Sequence, residues 1–372
     1  MHTVLILGAG ASWPYNFPLG SELLLKVQGL FPEHPKTGPQ QTDHSTYLGK
    51  IEAAYEAYYR SDPLRPYKER VGATLTEVNE ELSVFRSRLV GQKPSSIDLF
   101  LTQENSAAAS HYRFIGKLSI AAVISQSEET SGFQVNLGHD EENNWYQYLW
   151  HQIDGYLKGG TDVGRAPLKI VTFNYDRSLE QYLALRFGSK LAKPGVLLNH
   201  ENLDGWINKG IEIVSQLDIV HVYGSLGTLD EAPFGQVQAS IDLVNRARRI
   251  KVIGEERGSN EYFEKAKKWI NNASRVVFIG FGFDDQNMRL LGLEKGLPNS
   301  FKNSADAIQI RELFATSFGL EWAERRNIVE RYFGEFQQLN IGTRPEVCPI
   351  HDSHIKIGIT KYLRATGALV FR

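Results

Sequence analysis

The chain opens on an unbroken apolar run, Thr3–Leu7, that stops at Gly8. A short β-branched run closed by glycine predicts a strand buried on both faces. The pattern recurs at Leu168–Phe173, Asp218–Val222 and Arg275–Ile279, with a weaker copy at Glu312–Thr316. Between the first run and the second, apolar positions recur at helical spacing instead. Ile51, Ala54, Tyr55, Tyr58 and Tyr59 share one helical face, Leu82, Phe85 and Leu89 another, and Trp145, Leu149 and Tyr156 a third. Ser21 is placed to cap a helix that runs to about Leu30. Ser95-Ser96-Ile97-Asp98 reads as a second helix start. The polar stretch Asp140–Asn144 reads as a turn, and helical spacing returns between the later strands, as in Tyr262–Ile270.

Strands alternating with helices predict an α/β fold. The expected architecture is a Rossmann-like parallel sheet flanked by helices, with a large helical insertion after the first strand at about residues 42–160. One domain is expected over residues 1–335 and a C-terminal extension over 336–372, where His354–Ile359 and Ala368–Phe371 are short apolar runs among turn residues.

Composition narrows the class. The chain has 372 residues, 42% apolar and 23% charged, enough for a sizeable core. A net charge of −2 gives no global basic field for nucleic acid or a membrane surface. The single cysteine, Cys348, excludes a disulfide within the chain and a zinc site of four cysteines. Cys348, His351 and His354 have ligand-like spacing but no fourth partner, so no metal is expected. MHTVLILGAG lacks the charged start and cleavage site of a secretion signal. No run approaches the roughly 18 apolar residues of a membrane span. A cytoplasmic location is the expectation.

The candidate chemistry stands at the strand ends. Gly8-Ala9-Gly10-Ala11-Ser12 follows the first strand, and glycines there let main-chain N–H groups approach phosphate oxygens. The dehydrogenase fingerprint G-x-G-x-x-G is incomplete, because Trp13 stands at the third glycine. Thr172, Asn174 and Asp176 end the next strand; the Asn amide suits a ribose hydroxyl or a water, and Asp176 is placed to cap a helix beginning near Arg177. His221 ends another strand, where a neutral imidazole is a general base near neutral pH. Tyr223 lies two residues on, on the same strand face, before the Gly224-Ser225 turn. Gly280 and Gly282 follow the fourth strand, with Asp284 placed to cap the next helix. Arg246, Arg248, Arg249 and Lys251 form a basic run that reads as solvated surface or a phosphate contact.

Taken in order, the GAGAS loop, the strand-end Asn of FNYD, the His before a GS turn and the late GFGFDD strand end resemble the sirtuin-like family over roughly residues 1–320. The Ser96–Leu101 segment, SIDLFL, is similar to one common in its prokaryotic branch. Two departures matter. Sirtuin deacylases carry a zinc module of four cysteines, which this chain cannot build. The family usually writes its base as His-Gly, whereas Tyr223 precedes Gly224 here and His221 lies two residues earlier.

The resemblance therefore implies the zinc-less, NAD-consuming branch of prokaryotic antiviral defence. It implies an NAD+ glycohydrolase with Asn174 and His221 as catalytic residues. Gly8, Ala9, Gly10 and Ser12 would bind phosphate, and Gly280, Gly282 and Asp284 would line the adenosine side. Thr172, Asp176, Tyr223, Gly224 and Ser225 would complete the dinucleotide site. It further implies NAD as substrate with no other cofactor, self-assembly into a homo-oligomer, and a separately encoded HerA-type ATPase or short argonaute protein as partner. A non-catalytic NAD or ADP-ribose sensor or scaffold is the alternative, favoured by Tyr223, and a protein deacylase is disfavoured by the missing cysteines. Nothing in the sequence separates NAD from NADP, because no acidic ribose-reading residue is placed.

Overall fold

A computed structural model describes residues 2–31, 45–61, 75–104, 109–131, 144–191, 200–252, 261–302, 307–316, 320–334 and 359–371. By packing, the chain divides into two compact units: Met1–Tyr15, Val135–Val222 and Gly258–Arg372 form the first, Asn16–Gln134 and Tyr223–Arg257 the second.

The first unit is built on a sheet. Its strands β1 (Thr3–Leu7), β2 (Leu168–Thr172), β3 (Asp218–His221) and β4 (Arg275–Ile279) occupy the four strong apolar runs. Two short strands, β5 (Ser300–Lys302) and β6 (Ile308–Ile310), pair antiparallel on their own, and β7 (Glu312–Ala315) takes the weak fifth run. The five-stranded sheet is parallel throughout, in the order β3-β2-β1-β4-β7. This is a Rossmann-like arrangement, with the first strand central and the chain crossing over it between β3 and β4. Every residue of β1 and β4 is buried, as a strand covered on both faces requires.

Register brings the motifs level. Leu7 pairs with Thr172 on one side and Ile279 on the other, and Thr172 pairs with His221. The residues that end these strands therefore share one edge, the place where open parallel sheets bind ligands.

Helices of this unit are α1 (Ala9–Ser12), α7 (Trp145–Tyr156), α8 (Ser178–Leu191), α9 (His200–Val214), α11 (Glu261–Asn271), α12 (Asp285–Leu290), α13 (Trp322–Tyr332) and α14 (Ile359–Thr366). The carboxyl-terminal residues 359–371 pack with the sheet. Tyr362 Oη accepts the main-chain N–H of Ala315 on edge strand β7 (2.9 Å), and Arg275 donates to the carbonyl of Val370 (2.9 Å). An edge strand with its amide already engaged is a poorer template for stray pairing. Cys348, His351 and His354 lie outside the described residues, as do residues 140–143 of the expected turn.

The second unit holds α2 (Gly20–Leu30), α3 (Tyr47–Ser61), α4 (Leu75–Gln92), α5 (Ile97–Gln103), α6 (Ala109–Thr130) and α10 (Ser240–Arg249). Ser96 caps α5 as its sequence position predicts, accepting from Leu99 N–H (3.1 Å). Ser21 does not cap α2. That helix starts at Gly20, and the Leu19 N–H is instead satisfied by the Glu22 carboxylate (2.9 Å), which leaves Ser21 in the first turn. Arg246 also departs from expectation. It is buried on α10 and clamps Ser125 (2.8 Å), the carbonyl of Pro233 (2.8 Å) and the Glu128 carboxylate (3.4 Å). Its charge is spent inside the unit, so it is neither solvated surface nor a phosphate contact.

Candidate functional site

The site is assembled at the carboxyl edge of β1, β2 and β3. Directly after β1, Gly8 enters α1, which carries Ser12 inward. Main-chain packing fixes this turn. A Cβ on Gly8 would meet the Gly280 carbonyl oxygen at 2.5 Å, and one on Gly10 would meet Gly280 Cα at 2.9 Å. Gly280 itself sits at φ 57°, in the left-handed region, against the main chain of Gly10 and Ala11. Three glycines thus let the strand ends of β1 and β4 touch at the point where the chain changes direction across the sheet.

The segment continues as Phe281-Gly282-Phe283. A Cβ on Gly282 would meet nothing within 4 Å, so that position faces open space. Phe283 has a positive φ (53°) and is held among Phe278, Phe281 and Phe333. Asp284 caps α12 as expected, accepting from Gln286 N–H (2.9 Å) and Asn287 N–H (3.1 Å).

After β2, Asn174 turns back over the glycine loop. Its main-chain N–H donates to Thr172 Oγ1 (3.1 Å), which gives Thr172 a turn-forming role. Its side-chain Nδ2 donates to the Gly8 carbonyl (3.0 Å) and to Ser12 Oγ (3.0 Å). Both amide hydrogens are thus spent, and Oδ1 remains without a partner among the described residues. Ser12 passes the chain on, donating to Asp176 Oδ1 (3.2 Å). Asp176 Oδ1 also accepts Ser178 N–H (3.1 Å) and the Ser178 hydroxyl, so Asp176 tethers the start of α8. All these bonds fall on Oδ1, and Oδ2 has no partner among the described residues. Burial pushes the Asp176 carboxyl up to about 6, against the pull of the Ser178 and Ser12 hydrogen bonds.

Tyr146 closes this network from α7. Its hydroxyl lies 2.7 Å from Ser178 Oγ and 3.4 Å from Ser12 Oγ. Burial, reinforced by the charge of Asp176, raises its pKa, so it stays neutral. The helix carrying it is locked in place. Asn144 caps α7 by accepting Gln147 N–H (3.0 Å), Trp145 Nε1 donates to the Ala11 carbonyl (2.8 Å), and Tyr15 stacks on Tyr146 at 4.0 Å.

His221 is largely buried. Its Nδ1 lies 2.9 Å from the Asn174 main-chain carbonyl, and its Nε2 lies 2.6 Å from Glu180 Oε1. A carbonyl only accepts, so Nδ1 carries a proton. Burial lowers the imidazole pKa, but the Glu180 charge and hydrogen bond, with the Asn174 carbonyl, outweigh it and the net shift is upward. The neutral imidazole with a nitrogen to spare, expected from the sequence, is therefore not the resting state of this side chain.

Ser12, Tyr146, Thr172, Asn174, Asp176 and Glu180, with the apolar Leu7, Ile170, Leu179 and Ile219, line a small recess with room for about one water molecule. That is below the usual range for a whole ligand. Tyr223, Gly224 and Ser225 belong to the second unit. There the Tyr223 carbonyl accepts Lys251 N–H (2.9 Å), Gly224 has φ 71° and lies against the Arg249 carbonyl, and Ser225 Oγ accepts Gly227 N–H (3.3 Å). β3 ends at His221, so strand parity does not reach Tyr223.

Three residues of the site escaped the sequence reading: Tyr146, Ser178 and Glu180. Ser178 and Glu180 carried a readable signal, polar side chains in the first turn of a helix that follows a strand-end Asp. Tyr146 carried none, because its helix reads as an ordinary amphipathic one.

The fold and its strand-end crevice define a Rossmann-like α/β protein with a small carboxylate-bearing recess. Residues 168–298 match the family described as SIR2-like domain, a stretch that contains Asn174, Asp176, His221 and the Gly280 turn. That stretch is similar to an NAD-dependent enzyme superfamily. No curated protein matches the chain. Among the described residues no helix is long and apolar enough to cross a membrane.

Proposed function

We propose that this protein is an NAD+ glycohydrolase that splits the bond between nicotinamide and ribose. The observation that most supports the reading is the pairing of two unengaged acceptors in one buried recess: Asn174 Oδ1 and Asp176 Oδ2. Asn174 Oδ1 accepts a ribose hydroxyl and fixes the ring. The C–N bond breaks with its electron pair remaining on the ring nitrogen, so nicotinamide leaves neutral. Positive charge develops on the ribose, as in other glycosyl transfers, and the nearby carboxylates stabilise it. Water adds to the ribose carbon and passes a proton to Asp176 Oδ2. With its carboxyl at about 6, Asp176 is mostly ionised near neutrality and suited to that task. His221 serves by holding Asn174. The products are ADP-ribose, nicotinamide and a proton, and no metal takes part.

The biological reading rests on the sequence resemblance. The protein acts as an NAD-depleting effector of antiphage defence in the cytoplasm. It self-assembles and is triggered through a separately encoded HerA-type ATPase or short argonaute protein.

A second reading has its own support. His221 has both nitrogens engaged, which leaves no free imidazole base at the strand ends and suits a sensor that binds NAD or ADP-ribose without turnover. Nicotinamide release by the purified protein, alone and with its candidate partners, separates the two. Asn174→Ala is expected to lower kcat at least about a hundredfold while the circular dichroism spectrum is unchanged. Release at the parental rate from that variant would refute the assignment of the site.

A further inference from the structure

His221 is held at both ends. Its Nδ1 faces the Asn174 carbonyl and its Nε2 faces Glu180, from the first turn of α8. Asn174 in turn is held by its side chain to Gly8 and Ser12. We infer that Glu180 is a positioning residue of this site: it grips the His221 imidazole by Nε2 so that Nδ1–H pins the Asn174 carbonyl, which fixes the Asn174 side chain over the glycine loop.

The main-chain carbonyl and the carboxylate both accept, so the imidazole between them is held as a double donor. Charge-assisted bonds of this kind are short and strong, consistent with the 2.6 Å contact to Glu180. The charged groups that face His221 are Glu180 on α8 and Asp176 after β2. Of these, Glu180 makes the hydrogen bond. Without it the ring would be free to turn, and Asn174 would lose the main-chain anchor that complements its two side-chain bonds. The kinetic part of this inference rests on the proposed NAD+ hydrolysis; the clamp itself does not.

The test uses the full chain with 15N-labelled histidine, His221 being assigned from a His221→Gln variant. In the parent, His221 should remain doubly protonated above the ordinary histidine range. In Glu180→Gln, which keeps the shape and removes the charge, its titration midpoint should fall by about one pH unit or more. In kinetic assays Glu180→Ala should lose on the order of tenfold to a hundredfold in kcat with KM little changed. Glu180→Gln, whose amide can still grip a neutral imidazole, should recover most of that loss. An unchanged His221 midpoint in Glu180→Gln would overturn the inference, as would parental kcat in Glu180→Ala. If the parent releases no nicotinamide either alone or with its candidate partners, the hydrolase reading fails, while the His221 titration still decides the clamp.

Discussion

Asp176 shows how one residue can serve a site at the expense of the fold. Burial raises its carboxyl from the ordinary range to about 6. A group whose folded pKa is raised favours the folded state while protonated, and that advantage is lost as pH rises through the folded value. The cost of the buried carboxylate is thus absent below about pH 4 and grows through the window from about 4 to 6. Above that window it is full, and a shift of this size corresponds to about 3 kcal/mol at most. Asp176→Asn is therefore expected to be more stable than the parent at pH 8, with the gain vanishing at pH 4. Urea unfolding at both pH values checks this, and equal gain at both would contradict the burial argument. His221 works in the same direction, since its pKa is also raised. Asn174, Asp176 and His221 were legible in the sequence, because strand-end polar residues stand out against apolar runs. The protonation states of Asp176 and His221 were not, since these depend on Glu180, Ser12 and Ser178 being brought against them.

Among the elements, the turn after β4 is the most constrained. Gly280 combines a left-handed φ of 57° with main chain of Gly10 and Ala11 where a side chain would stand. Gly280→Ala is expected to destabilise the protein by about 3 kcal/mol, from overpacking together with backbone strain. Gly282→Ala meets open space and should leave stability within about 0.5 kcal/mol of the parent. Thermal unfolding of the two variants side by side checks the contrast, and a similar loss in both would show that packing is not the reason for Gly280. The sequence offered Gly8, Gly10 and Gly280 as ligand-approach positions, but a glycine needed for ligand and one needed for main chain look alike in a sequence. Ser21 and Arg246 teach a similar lesson. Each has a plausible local reading, yet the helix start at Gly20 and the burial of α10 against α6 override it.

For the protein taken whole, ligand binding offers the broadest check on the site. A ligand that binds only the folded state stabilises it by about 2.7 kcal/mol at a hundred times its Kd. ADP-ribose, which cannot be split at the nicotinamide bond, is expected to raise the unfolding temperature in a concentration-dependent way, and to do so less in Asn174→Ala. No shift at millimolar ADP-ribose would remove the support for a nucleotide site.

The parallel α/β class, the five sheet strands and the largely helical stretch after the first could all be read without coordinates, because each follows from local periodicity. So could the polar strand ends, since a parallel sheet places its chemistry there. Which of those ends meet was settled only by packing. The register that levels Leu7, Thr172 and His221 places Asn174 over Gly8 and Ser12 and sets Glu180 against His221. Tyr146 joins them from a helix far away in the chain. The physical reason is that a strand's identity is written in neighbouring residues, whereas this hydrogen-bond network also needs residues far apart in the chain to come together.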